Sequence, residues 1–200
     1  SASKFDGSTL FCTISEWDFS TTHMHSRLGH SRLALAPLDF AGTANTDFWC
    51  GHPDQLRDFN IKIAVDDWMA GGSTRTALQE HLPSIEDWDT SRITNMDHLF
   101  NNMRTFTEDI SKWNTSNVVS MDSTFRNARA FNTDISSWNT SNVVSMDSTF
   151  RDAQAFNTDI SSWETSNVVS MEGTFRNAQA FNTDISSWET SKVQNFQYTF

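Results

Sequence analysis

The side chains with the clearest capacity for chemistry lie in the first quarter of the chain. Three histidines stand close together in HMHSRLGH, at His23, His25 and His30, and His52 follows Cys50 after one residue. Imidazole and thiolate are zinc ligands, but the paired Cys-x-x-Cys spacing of structural zinc sites is absent. We therefore interpret these histidines as surface residues and expect neither a metal site nor a cofactor.

Acidic and amide side chains recur further along at a fixed interval of 25 residues. One set is Asp109, Asp134, Asp159 and Asp184, and a second set is Asp89, Asn114, Asn139, Glu164 and Glu189. Like charges at close spacing repel, so these groups must be solvated, hydrogen-bonded or bound to cations. Asp and Asn side chains commonly bond the backbone of their own turn. Turn capping is our interpretation, and a calcium-binding ladder is the alternative.

Motifs for enzymatic catalysis are missing from the sequence. Gly71-Gly72 is a bare pair rather than a phosphate-binding loop, and neither G-x-S-x-G nor H-E-x-x-H occurs. The chain holds 14 Lys and Arg against 25 Asp and Glu, a net charge of −11, which argues against nucleic acid as a partner. No apolar run approaches the roughly 18 residues of a membrane span. The sequence predicts a protein that is not an enzyme.

The rest of the chain is organised by an internal repeat. Residues 110–184 contain three near copies of a 25-residue unit, the second of which reads ISSWNTSNVVSMDSTFRDAQAFNTD. A looser copy occupies residues 85–109, and a partial copy occupies residues 185–200. Repetition at a period of 20 to 50 residues is the signature of a solenoid.

Large apolar residues recur in register, and we interpret them as the core. The columns are Trp88, Trp113, Trp138, Trp163 and Trp188, then Phe100, Phe125, Phe150 and Phe175, and then Phe106, Phe131, Phe156 and Phe181. One unit cannot bury its own apolar face, whereas stacked units can.

Apolar positions 9, 12, 16 and 19 of the unit step by three and four, which predicts a short helix in each repeat, from about Met121 to Ala130 in the copy at residues 110–134. Ser120 would cap that helix and Asp122 would favour its N-terminus. Val118-Val119 is expected to be a short parallel strand. Outward-facing columns of Val119, Val144 and Val169 with Thr124, Thr149 and Thr174 leave ice binding as a minor alternative.

The predicted fold is an α/β right-handed solenoid with three regions. Residues 1–55 form an irregular aromatic-rich segment, residues 56–84 a helical N-terminal cap, and residues 85–200 a solenoid of four full repeats and one partial repeat. In the cap, Ile61, Ala64, Val65, Trp68 and Met69 fit one helix face, with Asn60 at its start and Gly71-Gly72 at its end. A second short helix, capped by Ser73 or Thr74, ends before Pro83.

The pattern W-x-T-S-x-V-x-x-M-x-x-x-F-x-x-A-x-x-F-N-x-D-I-S-x-W resembles the BspA-like surface-protein repeat of mycoplasma lipoproteins and microalgal proteins, over about residues 60–200. The resemblance implies a leucine-rich-repeat-like solenoid used in protein–protein contact and adhesion, without enzymatic activity. In a chain with that resemblance, Cys12 and Cys50 permit one disulfide, worth roughly 3 kcal/mol. Two free buried thiols are the alternative.

These observations lead to a functional expectation. The sequence stops within a repeat, so Phe196 and Phe200 are expected to form a contact end for further chain or for a partner. The prediction is a non-enzymatic interaction module, a scaffold or linker subunit bound to other protein chains in a large complex. A secreted or cell-surface adhesion module is the alternative. Processing and export, to the cell surface or to an organelle of a microbial eukaryote, is favoured over a cytoplasmic location.

Overall fold

The computed structural model of the protein describes residues 55–200. The histidine cluster, Cys12 and Cys50, and nearly all of the predicted segment 1–55 lie outside these residues.

Two helices precede the repeats. Helix α1 spans Ile61–Ala70 and buries Ile61, Ala64, Val65 and Trp68, which matches the predicted helix face except at Met69, which is half-exposed. It ends at Gly71, whose φ of 67° and ψ of −163° suit glycine, and whose N–H donates to the Trp68 carbonyl.

The expected caps of these helices need correction. Asn60 occupies the N-cap position of α1, but its side chain does not bond the helix. Its Oδ1 accepts the Arg57 N–H at 2.7 Å instead, so it fixes the preceding turn. Helix α2 spans Gly72–Leu78 and begins before the predicted capping residues Ser73 and Thr74.

The short helix predicted in each repeat is wrong. After a 3₁₀ turn at Ile85–Asp87, residues 88–200 contain turns and single parallel bridges only. The bridges join Asn95 to Ser120, Ser120 to Ser145, Ser145 to Ser170, and Ser170 to Asn195. The predicted strand at Val118-Val119 is therefore reduced to one bridge at the next residue.

Alternating hydrogen bonds explain why this segment is not helical. The amides of Met121, Ser123, Phe125 and Asn127 donate to carbonyls of the next repeat at 2.7–3.0 Å. The amides between them, such as Thr124 and Arg126, donate to the carbonyl three residues back. Ser123 and Asn127 have φ of 56° and 58°, which an α-helix excludes. Successive turns place apolar side chains at the same spacings of three and four that predicted a helix.

The core consists of aromatic columns. Phe125 lies face to face with Phe150 at a centroid distance of 5.5 Å, and Trp138 faces Trp163 at 6.5 Å. Within one repeat, Phe125 also stacks on Phe131 at 3.9 Å. Each fully buried large side chain contributes roughly 1.5 to 3 kcal/mol. Repeats are thus held together by contacts between residues 25 apart.

Four tryptophan indoles of the repeats bond the backbone of the preceding repeat. The Trp138 indole Nε1–H donates to the Ile110 carbonyl of the preceding repeat at 3.0 Å. The equivalent isoleucine carbonyl of the preceding repeat also accepts a bond from the indoles of Trp113, Trp163 and Trp188. At the start of the stack, Trp68 of α1 meets Trp88 edge-on at 6.0 Å. The tryptophan column therefore continues from the first repeat into α1.

Candidate interaction surface

A strip of amide and apolar side chains, uncharged except for Lys192 at one end, runs across the repeats, and we call it the Asn–Val face. It consists of Asn117, Asn142, Asn167, Val119, Val144 and Val169, with Lys192 at one end, and it lines an open groove of about 610 Å³. Val119 is 45% exposed and Val144 is 37% exposed. Single exposed apolar residues are ordinary, and the regular alignment of these valines is what makes the strip a candidate surface.

The backbone fixes the valines of this face. In each repeat the first valine of the pair is buried and the second points outward, as for Val143 and Val144. The Val144 amide donates to the Val119 carbonyl at 2.8 Å, and the Val169 amide donates to the Val144 carbonyl at 2.8 Å. Neighbouring isopropyl groups are therefore held one repeat apart.

The asparagines are fixed by side-chain bonds to the backbone. Asn142 Nδ2 donates to the Ser116 carbonyl at 2.7 Å, and Asn117 and Asn167 make the same bond to Ser91 and Ser141. Lys192 Nζ donates to Asn167 Oδ1 at 2.7 Å. Asn117 and Asn142 are exposed, and an amide oxygen can accept hydrogen bonds.

The threonines expected beside these valines do not face outward, which corrects that expectation. Thr124, Thr149 and Thr174 are fully buried. The Thr149 hydroxyl lies 2.9 Å from the Met121 carbonyl and 2.8 Å from the Met146 carbonyl, so its single proton is shared between them. The ice-binding alternative therefore loses its threonine column.

The aspartates that end each repeat cap turns, as the sequence indicated. Asp109, Asp134, Asp159 and Asp184 each accept, at 2.9 Å, the N–H of a serine two residues on. This backbone bond, followed by a side-chain bond to the same serine, lowers the pKa of each carboxyl. Among residues 55–200 no three His, Cys, Asp or Glu side chains are grouped as metal ligands would be.

Amides and acids share the second turn column. Asn114 and Asn139 accept the N–H of Ser116 and Ser141 at 3.0 Å, as Asp89 does from Ser91. At these three positions an amide oxygen caps the turn as a carboxylate oxygen does.

Asp122 belongs to a half-buried acidic ladder and not, as the sequence predicted, to a helix N-terminus. Asp122 Oδ1 accepts the Ser145 hydroxyl of the next repeat and the Asp147 N–H at 3.1 Å. Burial raises the pKa of Asp122, and the neighbouring charges of Asp97 and Asp147 raise it further. Ser120, expected to be a helix cap, donates to Asp97 in the same way. This ladder joins repeats.

Arginines form a column that the sequence reasoning missed. Arg126, Arg151 and Arg176 occupy one position of successive repeats and are half-buried, and we call them the arginine column. The Arg176 guanidinium lies 4.9 Å from the Tyr198 ring centroid, and Arg151 Nε lies 3.6 Å from Asp152 Oδ2. Recurrence of Arg every 25 residues was the available signal.

Aromatic side chains are exposed in the partial repeat. Phe196 is 49% exposed and Phe200 is 75% exposed, although Phe200 stacks on Phe175 at 5.8 Å. Trp188, by contrast, is buried against Trp163.

Helices of the described residues are short. The longer of the two, α1, has 10 residues, and none in this part of the chain is long and apolar enough to cross a membrane.

Comparison with known proteins places the repeats in a family. The sequence profile of the family described as "Mycoplasma protein of unknown function, DUF285" matches residues 72–165 and residues 139–200. These overlapping matches together cover residues 72–200, well over half of the chain. Searches of curated proteins and of solved structures gave no match. The chain therefore belongs to this family of mycoplasma proteins of unknown function.

Proposed function

We propose that the protein is a non-enzymatic interaction module of the BspA-like type, a scaffold or linker subunit that binds another protein chain within a larger assembly. Its repeats form a right-handed solenoid that serves as a rigid support. The Asn–Val face is the contact surface.

The solenoid interpretation is supported by the bonds between repeats. Each of the parallel bridges joins residues 25 apart, and the alternate amides of one repeat donate to the next. Such an arrangement repeats one surface position at a regular interval, about 4.8 Å for a parallel rung. Extended, regular faces are what repeat proteins use for binding.

The exposure of Val119 and Val144 is the observation that carries the proposal. The backbone amides and carbonyls of these valines are already hydrogen-bonded to neighbouring repeats. Their isopropyl groups cannot hydrogen-bond water. Burying apolar surface is favourable by about 25 cal/mol per Å². The lining of the groove contains no acid in a chain of net charge −11. A partner surface with apolar side chains, and polar groups that meet the asparagine amides, fits it best.

Site-specific photo-crosslinking in the cells that make the protein tests this proposal. A photoreactive residue at position 144 is expected to give one protein adduct of constant identity. The matched control is position 155, an exposed alanine outside the Asn–Val face. Val119→Lys combined with Val144→Lys should abolish the adduct formed from a crosslinker at position 169. Equal labelling from positions 144 and 155 would exclude the Asn–Val face as the contact.

An exported adhesion module is the second candidate, supported by the BspA-like pattern of Trp, Met and Phe in every full repeat. It differs from the scaffold proposal in location. Protease treatment of intact cells should remove the protein if it is displayed at the surface. Full protection, with loss only after lysis, would favour the scaffold subunit.

A further inference from the structure

The positive charge of the repeats is concentrated on one strip. Five of the eight Lys and Arg residues in 85–200 lie at two positions of the repeat, as Arg104, Arg126, Arg129, Arg151 and Arg176. Two positions of the repeat lie between these arginine positions, and Asp152 is the one carboxylate found there. Arg104 and Arg129 are exposed, and the arginine column is half-buried.

A complementary strip of negative charge lies elsewhere on each repeat. Asp109, Asp134, Asp159 and Asp184 are exposed and form what we call the aspartate column. In each turn the backbone N–H of a serine holds one carboxylate oxygen. The hydroxyl of the same serine bonds the carboxylate as well, and the charge stays exposed to solvent. In the repeat, the aspartate stands eight positions after the arginine, and a buried phenylalanine such as Phe131 lies between them in the sequence.

The two columns share one spacing because each has one member per repeat. If one arginine of a copy contacts one aspartate of a second copy, the arginine and the aspartate of the adjacent repeats are brought to the same distance from each other. Like charges within each column repel across one repeat, and an opposing column of opposite sign relieves both repulsions. An unrelated partner would need the same spacing by coincidence, whereas a second copy has it by construction.

We propose that copies of this chain associate with each other through the arginine column of one copy and the aspartate column of the next. The contact is separate from the Asn–Val face and does not depend on the function proposed for that face. Exposed ion pairs are individually weak and are screened by salt. The association is therefore multivalent and salt-sensitive. Each contact joins the arginine column of one copy to the aspartate column of another. Two copies can therefore make this contact reciprocally and close as a dimer, or each copy can bind two different neighbours and form an open chain of subunits.

Sedimentation velocity of the full chain tests the proposal. Between about 10 µM and 1 mM protein in about 50 mM salt, the average mass should rise above 22.7 kDa. In about 500 mM salt it should return towards that mass, because the Debye length falls to a few ångströms. A mass of one chain at every concentration in low salt would overturn the proposal.

Two sets of neutralising variants locate the contact. Arg126→Gln, Arg151→Gln and Arg176→Gln together, or Asp109→Asn, Asp134→Asn, Asp159→Asn and Asp184→Asn together, should each weaken association about tenfold in low salt. The asparagines preserve the turn cap, as Asn114 and Asn139 do in the neighbouring turns. Near-ultraviolet circular dichroism verifies that each variant keeps its aromatic packing.

The matched control is Val119→Thr with Val144→Thr, which changes the Asn–Val face and leaves every charge in place. It should not alter the association. Association that is insensitive to salt and to both neutralised columns, or that is lost in this control, would contradict the proposal. The last result would instead assign self-association to the Asn–Val face.

Discussion

At the residue scale, the repeats hold aspartates in two opposite environments. Asp134 is exposed and accepts the Ser136 N–H, which lowers its pKa below the ordinary value of 3.8. Asp122 is half-buried, and its desolvation together with the charges of Asp97 and Asp147 raises its pKa above 3.8. The same residue type therefore stabilises the fold in different ranges of pH.

The two aspartates should respond with opposite signs to neutralisation. The contribution of Asp122 to stability is present below about pH 3.8 and is lost as the pH rises through its folded pKa. Asp122→Asn should therefore raise Tm at about pH 7 and have little effect at about pH 2 to 3. The contribution of Asp134 is present above pH 3.8 and is lost as the pH falls, so Asp134→Asn should lower Tm slightly at neutral pH only.

Thermal unfolding of both variants at the two pH values checks this prediction. Asn keeps an oxygen that can accept the same hydrogen bonds, so the comparison isolates the charge. Changes of the same sign at neutral pH would contradict the assignment of the two environments.

The buried threonine hydroxyl is the second residue-scale feature with a measurable consequence. Thr149→Val removes the proton shared by two backbone carbonyls in a fully buried site and should lower the free energy of unfolding by about 1 to 2 kcal/mol. Thr158→Val is the control, because the Thr158 hydroxyl bonds the Thr133 carbonyl at a half-exposed position where water can replace it. Denaturant titration should give a change below about 0.5 kcal/mol for the control. Equal losses would mean that burial of the hydroxyl does not matter.

At the element scale, helices and turns differ in what the sequence reveals. The face of α1 was predictable because Ile61, Val65 and Trp68 follow helical spacing up to a glycine pair. The turns of the repeats show the same spacing, and the feature that distinguishes them is the positive φ at Ser123 and Asn127. Serine does not signal that backbone conformation, but Gly173 at the Ser123 position and Asn or Asp at the Asn127 position do. The sequence therefore carried a signal that the helix prediction did not use.

Gly71, which follows α1, and Gly173, which lies in a turn of the repeats, should tolerate substitution differently. Gly71 combines φ of 67° with ψ of −163°, a region restricted to glycine, so Gly71→Ser should cost about 1 to 3 kcal/mol. A Cβ there would meet no atom within 4 Å, which leaves backbone strain as the cause. Gly173→Ser should cost less, below about 1 kcal/mol, because Ser123 and Ser148 already hold φ of 56° at the equivalent position and the new Cβ would meet only the flexible Ser148 Oγ, at 3.3 Å.

Unfolding measurements on both glycine variants, alongside the unsubstituted chain, distinguish these outcomes. A Gly173→Ser loss as large as that of Gly71→Ser would show that the repeats are not equivalent at this position.

At the scale of the whole described unit, the period of 25 residues was visible in the sequence and the path within each period was not. Identical residues one period apart had to meet, since a single repeat cannot bury its phenylalanines. Which side chains face out depends on the turns, and for that reason Val144 was assigned correctly and Thr149 was not. The arginine column was missed because its members lie in the segment that was expected to be helical.

Removing one whole repeat tests the central claim, that the unit is a stack of interchangeable 25-residue repeats held by contacts between equivalent residues. Deleting residues 135–159 joins Asp134 to Ile160, a junction that already occurs as Asp159-Ile160. Thermal unfolding followed by near-ultraviolet circular dichroism should show one cooperative transition at a lower Tm, with the aromatic signal retained. Deleting residues 135–147, half a repeat, should abolish that signal. Equal damage from the two deletions would contradict the account.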